Sequence, residues 1–135
     1  KRPVMTVSDD FKAPKSVLVA FDGGKMTRRG IELLAAYPNM RDLPIHVIMS
    51  GKRSKESTRQ LEWAERVLTD ASFDVNATFI AGDPEQVVTR AIAEREADLL
   101  IMGAYSHSPW RSLLLGSRTN DLLRASQVPT ITLHL

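Results

Sequence analysis

From Ser16 onward the apolar positions switch between two periods. Val17-Leu18-Val19-Ala20-Phe21 is a continuous apolar run, too short for a helix and apolar on both faces, as a central strand of a parallel sheet must be. Asp22-Gly23-Gly24 ends it. Thr27, Ile31, Leu34 and Ala35 then recur at helical spacing until Pro38-Asn39 stops the pattern. Residues 45–49 read as a second strand. Residues 54–71 read as a longer helix, with Leu61, Ala64, Val67, Leu68 and Ala71 on its inner face and Trp63 beside that stripe. Residues 75–80 alternate apolar with polar side chains, which predicts a strand with one face less covered. Gly82-Asp83-Pro84 turns into a helix carrying Val88, Ala91, Ile92 and Arg95, since Asp caps such a helix and Pro is at home in its first turn. Residues 99–102 give a fourth strand. A polar, Ser-rich loop over 103–115 leads to a last helix around 117–126, and residues 130–135 make the fifth strand.

Strands alternating with helices imply parallel pairing through right-handed crossovers. The expected architecture is an open, five-stranded parallel α/β sheet with two helices on each face. Ligands of such sheets bind beyond the carboxyl ends of the strands, where the strand order reverses. The positions to question are therefore 22–25 and 103–119.

The amino-terminal stretch follows another logic. Pro3 before Val4-Met5-Thr6-Val7 resembles Pro129 before Thr130-Ile131-Thr132-Leu133, and the polar run 8–15, bracketed by prolines, reads as a linker. The expectation is a linker over 1–15, containing the remnant last strand of a preceding repeat, followed by one domain over 16–135. Processing or a disordered amino end explains the same stretch equally well.

Composition narrows the function classes. At 135 residues the chain is of single-domain size, and 25% charged with 43% hydrophobic residues is ordinary globular composition. The net charge of +2 makes a weak field and the Lys52-Arg53-Ser54-Lys55 cluster is short, so neither points to nucleic acid. No cysteine is present; thiolate metal sites, thiol nucleophiles and disulfides are excluded, and a reducing cytoplasm is permitted. Apolar runs fall far short of the roughly 18 residues that span a bilayer, so no membrane role is read.

The standard nucleotide signatures fail. Gly24-Lys25 is followed by Met26 and has Val19 where a Walker A loop needs its first Gly; Gly23, Gly24 and Gly30 have the wrong spacing for a dinucleotide fingerprint. A receiver domain would need paired acids and a Lys after the fifth strand, which are missing. The loop after the fourth strand says more. In it, Gly116-Ser117 stands at the start of a helix, where free amides and the positive dipole end favour an anion. Ser117 and Thr119 offer hydroxyls there, and His107, Arg111 and Arg118 offer cationic or hydrogen-bonding side chains. The same Gly116-Ser117 is also read as a plain turn and helix cap.

Gly103, Gly116 and Ser117, spaced as they are, together with Asp22 at the end of the first strand, resemble the universal stress protein family over residues 16–135. The nucleotide-binding members of that family carry Gly, two residues, Gly, nine residues, then Gly-Ser or Gly-Thr. The resemblance implies the strand order 3-2-1-4-5 and a Rossmann-like fold of the adenine nucleotide alpha hydrolase type. It also implies a cytoplasmic stress-response role with ATP or AMP as regulatory ligand, and Mg2+ arriving only with the nucleotide. In that frame Asp22, beside Gly23, accepts a hydrogen bond from the adenosine, Gly103 runs under the ribose, Ile48 and Met49 flank the adenine, and Gly116 and Ser117 hold the phosphates.

One position departs from the pattern. Ser106 stands at the second motif Gly, where a positive φ or close phosphate contact would make a side chain costly. The alternative function is therefore a nucleotide-free module for dimerisation and partner binding. A slow ATPase or adenylyl-transfer activity is a third reading, for which no general base or nucleophile is in sight. His46 and His134, within strands, read as structural. Finally, the fifth strand would be an unblunted sheet edge. It is expected to pair with a second copy, with a preceding repeat, or with the chain's own amino-terminal segment.

Overall fold

A computed structural model of the chain describes residues 4–6, 14–103 and 128–133. Its elements are β1 (Val4–Thr6), β2 (Val17–Ala20), α1 (Lys25–Ala35), a 3-10 turn (Pro38–Met40), β3 (Pro44–Gly51), α2 (Lys55–Asp70), β4 (Asp74–Ala81), α3 (Pro84–Glu94), β5 (Leu99–Gly103) and β6 (Thr130–Leu133). They build one sheet in the order β1-β6-β5-β2-β3-β4. The five strands from β2 to β6 pair in parallel throughout, which is the expected order 3-2-1-4-5. The sixth strand is β1, antiparallel to β6, with Val4 opposite Thr132 and Thr6 opposite Thr130. Of the occupants expected for the β6 edge, the chain's own amino-terminal segment holds it.

Strand alternation splits the core into two layers. Val17, Val19, Phe21, Val47, Met49 and Ile101 face α1 and α2, meeting Ile31, Leu34, Leu61, Ala64 and Leu68. Leu18, Ala20, Ile48, Leu100 and Met102 face the opposite way and meet Val87, Val88, Ala91 and Ile92 of α3. Thus two helices cover one face and α3 the other. The fourth expected helix, around 117–126, lies outside the described residues.

Local chemistry sets the element ends. Ser54 caps α2 through a reciprocal pair with Ser57: the Ser57 N–H donates to Ser54 Oγ at 3.0 Å and the Ser54 N–H to Ser57 Oγ at 2.8 Å. Asp83 caps α3, accepting from the Gln86 N–H at 3.2 Å, with Pro84 in the first turn. At the amino end of β2 the Asp98 carboxylate accepts from the Lys15 N–H at 2.8 Å and the Ser16 N–H at 2.9 Å. The Asp98 N–H in turn donates to the Ser16 carbonyl at 3.0 Å. This clasp ties β2 to β5 and fixes the register in which Val17 faces Leu99 and Val19 faces Ile101.

Candidate functional site at the switch point of the sheet

The chain leaves β2 towards β3 and β4 on one side, then crosses to β5 on the other, so the strand order reverses between β2 and β5. Their carboxyl ends are where such a sheet holds a ligand. Continuing the observed register by two residues carries Gly103 level with Phe21, one residue before Asp22. Gly103 is buried, and in register with Leu133.

Asp22 is exposed but not loose. Its Oδ1 accepts from the Gly24 N–H at 2.8 Å and from the Thr27 hydroxyl at 2.6 Å. The residue capping α1 is Gly24, which has no side chain to do so; the carboxylate two residues upstream satisfies the Gly24 amide in its place. Thr27 is buried in the first turn of α1, so its hydroxyl sets the carboxylate's orientation from below. The first turn of α1 holds no acidic residue and opens with Lys25. The positive end of the helix dipole therefore favours the Asp22 carboxylate itself.

Gly23 takes φ +78°, a left-handed conformation that favours glycine, and a Cβ there would overlap the side-chain amide of Gln60. Gln60 Nε2 donates to the Gly23 carbonyl at 3.4 Å, so α2 braces the turn. Neither Thr27 nor Gln60 was singled out as a site residue in the sequence. Thr27 had a signal, standing five residues after Asp22 at the mouth of a helix. Gln60 had none, because its contact spans two elements.

Ile48 and Met49 both lie at the carboxyl half of β3, and the Ile48 carbonyl accepts the Phe21 N–H at 2.9 Å. Their side chains part to opposite faces and both are buried in the core. They do not offer two side chains to one pocket, so a base near this strand end meets one of them at most. Ser106, His107, Arg111, Gly116, Ser117, Arg118 and Thr119 lie outside the described residues. His46 sits in the amino half of β3, level with Leu18 and Asn76, away from the carboxyl ends. Its Nδ1 is buried without a hydrogen-bond partner. Burial holds its imidazole below the ordinary range, Arg95 pushes the same way and Asp74 opposes both. Among the described residues no group of three His, Asp or Glu side chains gathers as a metal site, and no helix is long and apolar enough to cross a membrane.

A strand-end acid and a buried strand-end glycine thus flank the reversal of strand order. The model of the universal stress protein family matches residues 14–134. This chain belongs to that family. The universal stress protein Slr1230 of a Synechocystis species is 32% identical over 133 residues, which are 97% of this chain and 46% of that protein. The chain spans about half the length of the curated relatives it matches. Among solved structures, a universal stress protein in complex with cAMP superposes with a TM-score of 0.67 at 21% identity, covering 91% of this chain and 98% of the other. The universal stress protein from Archaeoglobus fulgidus in complex with dAMP gives 0.64 at 18% identity, covering 87% and 95%. At those identities the likeness is one of fold, and the universal stress protein sheet is the sheet described above.

Proposed function

We propose that this universal stress protein domain binds an adenine nucleotide, AMP or ATP, at the carboxyl ends of β2 and β5, as a regulatory ligand in a cytoplasmic stress response. The observation that carries the reading is the oriented Asp22 carboxylate, one residue beyond the level of Gly103, at the reversal of the sheet. A carboxylate fixed from below by Thr27 suits the hydroxyls of a ribose, because an acceptor already held in place loses little entropy on binding. Gly103, with no Cβ, leaves room for a sugar to lie against backbone. Gly116 and Ser117 hold the phosphates in this reading, with Ser106, His107, Arg111, Arg118 and Thr119 around them. Relatives of the same fold are found with cAMP and dAMP bound. Mg2+ enters only with a triphosphate, and in this reading the domain binds its ligand rather than turning it over.

Assembly belongs to the same proposal. The β6 edge is a strand-pairing edge, held here by residues 4–6 and, in a tandem protein, by the last strand of the preceding repeat.

Isothermal titration with AMP and ATP tests the ligand. Saturable binding in the micromolar range supports it, and no heat at millimolar nucleotide contradicts it. The variant Ser106→Gly separates the two main readings: if binding appears only with Gly, the native domain is a nucleotide-free scaffold.

A further inference from the structure

The two edges of the sheet are treated differently. One is closed by β1, whereas the other, β4, offers eight residues with no strand beyond it among the described residues. Sheet edges are normally blunted by Lys, by Pro or by a covering element. β4 has neither Lys nor Pro, and its one charge is Asp74 at the start.

We infer that β4 is a homotypic interface, pairing antiparallel with β4 of a second copy across a two-fold axis at Ala77. The first argument is the hydropathy of residues 75–79, which reads the same in both directions about Ala77. Val75, Ala77 and Phe79 lie on the α2 face, and Ile80 on the other. In an antiparallel pair centred on Ala77, Val75 meets Phe79 of the partner subunit and Asn76 meets Thr78 of the partner subunit. Over residues 75–79 apolar thus faces apolar on one side and polar faces polar on the other. At the two ends of the pairing Asp74 falls opposite the partner's Ile80, the one mismatch, but no two like charges of the strands oppose each other. A shift of one residue would send every side chain to the wrong face.

The second argument is charge. A groove between α2 and β4 is lined by Arg53, Leu61, Glu62, Glu65, Ala77 and Phe79. It is cationic at one end, where the Arg53 guanidinium lies 5.0 Å from the centre of the Phe79 ring, and anionic further along α2 at Glu62 and Glu65. Because α2 runs back along β4, Glu65 lies about 15 Å down the helix from its start. Val75 lies about 13 Å down the strand from Phe79. A two-fold axis at Ala77 sets the partner's Phe79, and with it the partner's Arg53, level with Val75. The cationic end of each groove therefore comes to the Glu65 end of the other, twice per dimer. An isologous contact of this kind is self-complementary and closed, so it ends at two copies.

Sedimentation velocity of the full chain over a concentration series tests the inference, and exposed groove residues supply the variants. The wild type is expected to dimerise, Arg53→Glu and Glu65→Arg to weaken the dimer at least tenfold, and the double variant to recover most of the loss. The chain has no cysteine of its own, so Ala77→Cys is expected to give a disulfide dimer under mild oxidation, while the exposed control Glu94→Cys on α3 stays monomeric. A wild type that is monomeric throughout, a dimer indifferent to all three charge variants, or equal cross-linking at positions 77 and 94 would each overturn it.

Discussion

Replacing Asp22 by Ala removes two hydrogen bonds at the mouth of α1, the 2.8 Å bond from Gly24 and the 2.6 Å bond from Thr27. The carboxylate is exposed, so each bond is worth about 1 kcal/mol rather than the larger value of a buried charged acceptor. The sum is a loss of about 2 kcal/mol, and for a domain of this size a lowering of the melting temperature by about 7 °C. Affinity for AMP falls further, ten- to a hundredfold, if the carboxylate also accepts a hydroxyl of the ligand, because that bond has a charged acceptor. Thr27→Val separates the two effects: it keeps the carboxylate and the volume but removes the hydroxyl that orients it. Its cost is about 1 kcal/mol in stability and only a few-fold in affinity. Differential scanning fluorimetry and calorimetric titration on the same preparations read both. A folded Asp22→Ala protein that melts lower but binds AMP as tightly as the wild type would refute the assignment of Asp22 to the ligand. One that binds less tightly but melts at the native temperature would refute the stabilising role of the two bonds.

Other expectations follow from single features. His46 is held below its ordinary pKa of 6.5 in the folded chain, so below about pH 6.5 the unfolded chain takes up a proton that the folded one refuses, and stability falls as pH falls further. Urea unfolding at pH 7 and pH 5 shows this, and His46→Gln, which does not titrate, removes that part of the slope. Gly23→Ala forces a left-handed conformation on a residue with a Cβ and pushes Gln60 aside; it should cost about 1–2 kcal/mol or more. Adding Gln60→Ala should recover only the steric share, leaving the backbone share in place. Deleting residues 1–12 strips β1 from β6; with β4 still pairing, the second uncovered edge should bring association beyond a dimer, and in the Arg53→Glu background a dimer through β6, both read by sedimentation. A deletion variant with the same association as the full chain would show that β6 needs no partner.

The fold was legible because period alone separated strand from helix. The apolar run 17–21 is a central strand, and Leu61, Ala64 and Leu68 are the buried stripe of α2, with Trp63, Val67 and Ala71 half-buried around them. On α1 the pattern of Thr27, Ile31 and Leu34 was right but omitted Gly30, which is buried because a Cβ there would overlap Leu133 of β6. A glycine carries no hydropathy signal, so its close approach cannot be read from period. On α3 the buried set includes Val87 and Thr89 beside Val88, Ala91 and Ile92, a wider stripe than the sequence pattern outlined. The strand-end positions of Asp22 and Gly103 were legible, because each closes an apolar run. The candidate site was not legible where elements remote in sequence meet, as Gln60 does with Gly23. Ile48 and Met49 are the instructive pair: strand alternation, applied to neighbours, already requires them to face opposite ways.

The most direct test of nucleotide binding at the β2–β5 switch point is a titration of the 15N-labelled chain with AMP, followed by amide chemical shifts. The account predicts that saturable changes centre on the amides of Asp22, Gly23, Gly24 and Lys25 and of Gly103, and that they collapse in Asp22→Ala. Saturable changes confined to β4 and the groove below Arg53, or none at millimolar AMP, would contradict it.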